Sequence, residues 1–261
     1  MAYRNADIVK RRAYERQPQL QVQRQKFAQV LASLLYNDPA SVAFVDESQF
    51  SSWMVQKKSW SVEGHPNQHV TNSKRWATCV FGAIGLCVTD LACYKLLPRN
   101  NAENFLKFLR HLKACVTVEK PILVLDNFSG HKAESVQDYL HRHFRPLYLP
   151  AYSCTFSSIE WVWHHGKQRF RKQQLGVNKE QGQQEFEADV LAALPTSQTC
   201  PEATMMGLLD SNRVALKKFL DLALAAQEDS QAPRDADQEL LSKLQVGIPD
   251  SEATDGKILN E

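Results

Sequence analysis

The 261 residues carry 43% hydrophobic and 23% charged side chains and a formal net charge of +2, the balance of a globular chain rather than a disordered or fibrous one. No apolar stretch approaches the roughly 20 residues of a membrane helix, and the N-terminus has no signal-peptide core, which points away from membrane and secretory classes and toward an intracellular protein. The cysteines (Cys79, Cys87, Cys93, Cys115, Cys154 and Cys200) form no CxxC pair, so reduced thiols are expected and a zinc site is not.

The small net charge hides an asymmetry. Residues 228–261 hold nine acidic and three basic side chains, which leaves about +8 on the rest of the chain. That tail has little apolar periodicity and is expected to be mobile. Residues 1–26 hold seven Lys or Arg against two acidic residues and include Lys10, Arg11 and Arg12. This cluster reads either as a solvated basic helix or as a nucleic-acid contact.

In chain order, Phe27, Val30, Leu31, Leu34 and Leu35 fall at helical spacing, and Asn37-Asp38-Pro39 stops that helix. Val42 to Val45 reads as a short strand that ends on Asp46 and Glu47. The Trp-rich stretch 51–63 and the run ATCVFGAIGLCVTD at 77–90 predict two more strands, in an antiparallel meander with the first. Phe105, Phe108, Leu109 and Leu112 mark a helix. The run PILVLDNFSGHK at 121–132 gives a strand apolar on both faces that delivers Asp126 and Asn127 to its end. A helix with Val136, Leu140 and Phe144 inward follows, then a strand in PLYLPAYS and a helix starting near Ser157 or Ser158. The order is βββαβαβα, with further helices at 184–194 and 202–227. The expected organisation is a basic helical segment over 1–40, a catalytic domain over 41–175, C-terminal helices over 176–227 and the acidic tail over 228–261.

Why a buried strand should end on a carboxylate is the question this order raises. Asp126 and Asn127 could simply cap the next helix. Three antiparallel strands followed by two strand-helix crossovers, however, make a mixed α/β sheet flanked by helices, in which the first and fourth strands can be central neighbours. Asp46 and Asp126 would then emerge together, with Glu160 within reach in the first turns of the last helix. Three converging carboxylates repel unless cations neutralise them, and oxygen-only ligation suits Mg²⁺ or Mn²⁺.

Three motifs carry a family resemblance: FVDES at 44–48, LDNFSGHK at 125–132 and LPAYSCTFSSIEWVW at 149–163, with Asp126 and Glu160 separated by 34 positions. Residues 25–175 resemble the catalytic domain of DDE transposases of the mariner type and their bacterial insertion-sequence relatives. The resemblance implies an RNase H-like fold, with Asp46, Asp126 and Glu160 as the metal-binding catalytic triad. It implies that Asp46 bridges two Mg²⁺ ions (Mn²⁺ substituting), while Asp126 and Glu160 each hold one. Asn127 and His131 match polar positions that accompany the second Asp. The implied reaction is hydrolysis at transposon ends followed by attack of the 3′-hydroxyl on target DNA, with no covalent protein-DNA intermediate. Double-stranded DNA and a homodimer on it are the implied partners, and a separate DNA-recognition subunit is a further expected one.

The chain departs from the family pattern in two places. CTFSS at 154–158 stands where relatives carry a Pro- and Asn-containing run, and only about 40 residues precede Asp46 where relatives usually have helix-turn-helix modules. Two other function classes therefore stay open. One is a transposase-derived DNA-binding or assembly protein without turnover, and the other an RNase H-like nuclease acting on RNA-DNA hybrids.

Among the remaining residues, strand alternation turns Glu47 away from Asp46, toward a structural role. Asp90 reads as a turn residue. His164 lies on the Glu160 face of its helix, and His165 lies beside it. Lys167, Arg169, Arg171 and Lys172 are either a solvated helix end or, next to a phosphodiester-cleaving centre, contacts to DNA phosphates. Trp53, Trp60 and Trp76, with Lys57, Lys58, Lys74 and Arg75, are expected to pack a hairpin, with a base-stacking platform as the alternative.

Overall fold

Val42 to Val45, fully or almost fully buried, lie in the central strand of a five-stranded sheet. The structure, a computed structural model, describes residues 18–54, 62–65, 74–174 and 181–196 together with isolated helical positions between 207 and 221. By contacts the chain divides into Met1–Leu220 and Asp221–Glu261, and every element below belongs to the first unit. The Lys10-Arg11-Arg12 cluster, Lys57, Lys58, Trp60 and the acidic tail lie outside the described residues, as does most of the helix expected at 202–227.

Helix α1 (Pro18–Asn37) precedes strand β1 (Val42–Ser51), which pairs antiparallel with β2 (Ala77–Ile84); β2 pairs antiparallel with β3 (Ala92–Leu97). After α2 (Ala102–Cys115), strand β4 (Ile122–Leu125) returns parallel to β1. After α3 (Glu134–His143), β5 (Arg145–Tyr148) adds parallel to β4. Helices α4 (Ile159–Gln173) and α5 (Gln183–Ala193) follow. The sheet order β3-β2-β1-β4-β5 puts the first and fourth strands side by side, as the sequence pattern predicts.

The meander strands sit differently from the expectation. β1 continues through Ser51 and absorbs the start of the Trp-rich stretch, while Ser52–Met54 and residues 62–65 are not in strands. The apolar run from Ala77 is a strand only to Ile84, because Gly85 comes so close to β1 that a Cβ there would lie 2.4 Å from the Val42 carbonyl oxygen. A 3₁₀ turn over Thr89–Leu91 follows, with Asp90 and Leu91 at φ 58° and 63°, so Asp90 is indeed a turn residue. The third strand, ACYKLL, is an edge strand that fully buries only Cys93, which leaves it no apolar alternation to read.

Alternation along β1 feeds two cores. Phe44 and Phe50 pack with Phe27, Leu31 and Leu35 of α1, Ile159, Val162 and Phe170 of α4, and Phe186 and Val190 of α5. Ala43 and Val45 pack on the opposite face with Phe105, Phe108 and Leu112 of α2 and Val136 and Leu140 of α3. Helices therefore cover both faces, and the sheet is fixed rigidly beneath the strand ends that carry the acidic residues.

Candidate active site

β1 and β4 are in parallel register at Phe44 and Val124, and two residues further on each chain reaches an aspartate. That shared register is why Asp46 and Asp126 emerge together. Glu160 comes from the first turn of α4. All three carboxylates line one cavity of about 360 Å³, together with Asn127, Phe128, Leu149, Tyr152 and Ser157 among others.

Asp46 is only partly exposed. Burial, with Glu47 and Glu160 adding negative charge, pushes its carboxyl up to about 7. The opposing influences are the Glu47 backbone N–H and the Trp163 indole, whose Nε1 donates to Asp46 Oδ2 at 2.8 Å. Trp163 lies three residues beyond Glu160, on the same side of α4. Its ring rests over β2 at Gly82, the register partner of Asp46, where a Cβ would lie 2.6 Å from the ring. Tyr94 of β3 closes the other side, with ring centroids 6.2 Å apart.

Asp126 does not cap α3, whose N-cap is Ala133. Its Oδ1 accepts from the Phe128 backbone N–H at 2.9 Å and lies 3.1 Å from His131 Nδ1. Burial alone would raise this carboxyl, but the hydrogen bonds from His131 and Phe128 and the charge on His131 outweigh it and hold the group below the usual range. His131 is itself fully buried, and its Nε2 donates to Glu47 Oε1 at 2.8 Å. Desolvation works against the charged imidazole, yet hydrogen bonds to Asp126 and Glu47 and the Glu47 charge lift it to about 10. An imidazolium clamped between two carboxylates is the result, packed on Phe105 with ring centroids 4.0 Å apart. Glu47 thus serves the far face of β1, and it reaches Asp126 through His131.

Asn127 donates through Nδ2 to the Leu149 carbonyl and so ties the end of β4 to the loop that leads to Glu160. That loop contains a 3₁₀ turn over Cys154–Phe156. Phe156 anchors it by stacking on Phe27 of α1 at 6.1 Å and 12°, so CTFSS is a defined turn held by an aromatic contact. Ser157, 7% exposed, lines the cavity, and its Oγ has no hydrogen-bond partner.

The basic run splits by helical phase. Lys167 feels the charges of Glu160 and Asp46, and its Nζ sits 5.9 Å from the Phe50 ring centroid. Arg171 is close enough to repel it. Arg169 instead donates to the Ala192 carbonyl at 3.4 Å, toward α5, and Lys172 is exposed. His164 meets Gln168 at 2.9 Å, while His165 stacks on Trp161 with centroids 3.9 Å apart. Trp76 donates to the Gln181 carbonyl at 2.9 Å and carries Lys74 over its ring. Trp53, half exposed, lies beneath the Arg75 guanidinium.

Sequence reasoning missed Trp163 and Ser157. The i, i+3 spacing from Glu160 was available as a signal for Trp163, but an indole in an apolar helix run looks like core until its N–H is seen to need an acceptor. Ser157 carries no signal, since only the cavity distinguishes it from any helix-start serine.

The sequence pattern of the DDE superfamily endonucleases matches residues 41–181, over half of the chain. The fold is similar to that of the Mos1 mariner transposase catalytic domain, at 14% identity over 78% of this chain and 94% of that one, TM-score 0.54. The Mos1 strand transfer complex matches at 16% identity over 78% and 62%, TM-score 0.57. The Mos1 paired end complex with Mg matches at 16% over 79% and 63%, TM-score 0.58. The chain therefore spans about three fifths of the Mos1 protein in those complexes. No curated protein sequence is significantly similar to it. At such low identities the structural likeness speaks for the RNase H-like fold, and the sequence pattern, which spans Asp46, Asp126 and Glu160, speaks for the family: this chain belongs to the DDE superfamily endonucleases.

Proposed function

We propose that this protein is a transposase whose Asp46, Asp126 and Glu160 form a Mg²⁺-dependent centre that hydrolyses DNA at transposon ends and joins the freed 3′-hydroxyl to target DNA. The observation that carries this reading is that the three carboxylates line one cavity at the ends of adjacent parallel strands. The donor set fits hard divalent cations: it is all oxygen, and Asp46 is held back from ionising by burial and by Glu47 and Glu160, a cost that a bound cation relieves. Mg²⁺, or Mn²⁺ in its place, would supply charge neutralisation at the scissile phosphate and its leaving oxygen.

The chain's own residues hold that centre in shape. Trp163 fixes the rotamer of Asp46, and His131, steadied by Glu47, fixes that of Asp126. Ser157 lines the cavity wall, with its hydroxyl buried and without a hydrogen-bond partner. Lys167 and Arg171, on the Glu160 side of α4, would meet the DNA backbone. The partner is double-stranded DNA, held by a homodimer so that two ends can be paired. Mos1 forms a paired end complex, which supports that arrangement.

The test is nicking of duplex DNA and of an RNA-DNA hybrid with Mg²⁺, Mn²⁺ or Ca²⁺. Duplex cleavage with Mg²⁺ and Mn²⁺ but not Ca²⁺ is expected, abolished in Asp126→Asn with DNA affinity unchanged or increased. Cleavage of the hybrid alone would point to an RNase H-like nuclease, and no cleavage with any ion to an assembly protein. Full nicking by both Asp46→Asn and Asp126→Asn would place the chemistry elsewhere.

A further inference from the structure

The absence of a CxxC pair argues against a zinc site, but the fold brings two thiols and an imidazole together from separate elements. His111 and Cys115 are four residues apart on α2, hence on one face of the helix. Cys93 is the one fully buried residue of β3. Cys93 Sγ lies 2.9 Å from Cys115 Sγ, Cys115 Sγ lies 3.9 Å from His111 Nε2, and the three donor atoms are all within 4.8 Å of one another. We propose that Cys93, His111 and Cys115 bind a Zn²⁺ ion that ties the edge strand β3 to α2.

In a tetrahedral site with Zn–S near 2.3 Å and Zn–N near 2.0–2.1 Å, donor atoms stand about 3.5–3.8 Å apart. The His111–Cys115 separation already fits, and the two sulfurs must part by about 0.9 Å, within reach of small χ1 changes. At 2.9 Å the two sulfurs are in thiol–thiol hydrogen-bond contact, and a disulfide bond is the competing use of the pair. A disulfide makes no use of an imidazole. Here the imidazole is held by a hydrogen bond to the backbone of Tyr94, the residue after Cys93, as ligating histidines are held by their outer partners.

Two thiolates and an imidazole favour zinc over the hard cations of the carboxylate cavity. Each thiol gives up its proton on binding, and the two thiolates balance the double charge of the ion. His111 and Cys115 are half-buried, which leaves a path for entry and a fourth position for water. None of the three residues lines the carboxylate cavity, so the site is separate from the catalytic one. It bears on that centre through β3, whose Tyr94 packs against Trp163, and through α2, whose Phe105 packs against His131.

The experiment uses the full chain, reduced with a phosphine, stripped of metal and titrated with Co²⁺ in excess Mg²⁺, so that the carboxylates are occupied. A thiolate-to-cobalt charge-transfer band saturating at one ion per chain is expected, with displacement by Zn²⁺ and release of two protons per zinc. Cys115→Ser should lose the band, His111→Ala should weaken binding roughly tenfold or more, and Cys154→Ser should leave the band as it is. Should Cys115→Ser not fold, the wild-type protein decides: Zn²⁺ should protect Cys93 and Cys115, but not Cys154, from alkylation mapped by peptide mass spectrometry. The proposal is overturned by absence of the band in the wild type, by its persistence in a folded Cys93→Ser/Cys115→Ser double variant, or by alkylation of both thiols at the same rate with and without zinc. It is equally overturned if the unreduced protein carries a Cys93–Cys115 disulfide and the reduced protein takes up no metal.

Discussion

Trp163 and Asp46 are joined by a 2.8 Å hydrogen bond from the indole nitrogen to Oδ2, across 117 residues of chain. The bond fixes the rotamer of a carboxylate that burial and its neighbours would otherwise leave protonated. A hydrogen bond to a charged group is worth about 1.5–3 kcal/mol.

Trp163→Phe keeps an aromatic ring and removes the donor. The cleavage rate should fall roughly 10- to 100-fold, since each ~1.4 kcal/mol is a factor of ten, with DNA affinity within about twofold of wild type. Single-turnover nicking beside a binding titration checks it. An unchanged rate would mean that Asp46 is oriented by something other than the indole.

Gly82 provides the room for that contact. A Gly to Ala change inside a strand normally costs nothing in backbone entropy, but here the new methyl would lie 2.6 Å from the Trp163 ring. Gly82→Ala should destabilise by about 1–3 kcal/mol through overpacking and slow cleavage as Trp163→Phe does. In the Trp163→Phe background the smaller ring frees the clashing space, so the added cost should shrink. Melting curves of the two singles and the double give that coupling, and strict additivity would show that the two residues do not meet.

Asp46 makes a pH prediction. Its folded-state value of about 7 lies above the ordinary 3.8, so folding favours the protonated acid. The penalty is absent below about pH 4, grows as pH rises toward 7 and is constant above. Without divalent metal, Asp46→Asn should therefore be more stable than wild type at pH 8, by on the order of 2–4 kcal/mol. The two should converge near pH 4. Excess Mg²⁺ should narrow the gap at pH 8 by binding the native wild type. Urea titrations at both pH values, with and without Mg²⁺, measure it; a gap that is the same at both pH values would remove the electrostatic explanation.

His131 should behave in the opposite sense. Its folded-state value near 10 exceeds the ordinary 6.5, so the stability it supplies is fully present below about pH 6.5 and is lost as pH rises through 10. His131→Leu leaves Glu47 and Asp126 without their shared cation and should cost about 3–5 kcal/mol at pH 7. That difference should shrink by pH 10 in chemical denaturation. Cleavage should fall as well, because Asp126 loses a hydrogen bond that orients it.

What the sequence discloses of this fold and site follows a physical line. Val42–Val45 and Ile122–Leu125 are buried on both faces, and each run ends on an aspartate at the sheet's end, so composition, register and chemistry point the same way. β3 was invisible because an edge strand burying only Cys93 has no alternation. The limit of β2 was invisible because Gly85 ends the strand through a backbone approach to Val42. Glu47 was legible as facing away from Asp46, but its link to His131 depends on α2 and α3 closing over the far side of β1. Cys93 and Cys115 look like scattered thiols in the sequence, and His111 carries no signal there, because the motifs that announce zinc sites are local in sequence, whereas this cluster joins a helix to a strand.

The basic run on α4 offers a test by contrast. Glu160, Lys167 and Arg171 share one side of the helix, and Lys167 feels the charges of the cavity, whereas Arg169 is turned to the Ala192 carbonyl. If the first two meet DNA phosphates, each releases counterions on binding, and log K falls with log salt by about 0.9 per phosphate. Lys167→Gln and Arg171→Gln should each shallow the salt slope by about one unit, and the double variant by about two, without altering sequence preference. Arg169→Gln should leave the slope unchanged and lower the melting temperature slightly through the lost bond to α5. Fluorescence anisotropy on a fixed duplex across 50–200 mM salt, a range over which several phosphate contacts change affinity by orders of magnitude, separates the three. Equal effects from all three residues would mean that the whole helix end acts as a diffuse positive field. An effect confined to Arg169 would turn the DNA path away from the carboxylate cavity and toward α5.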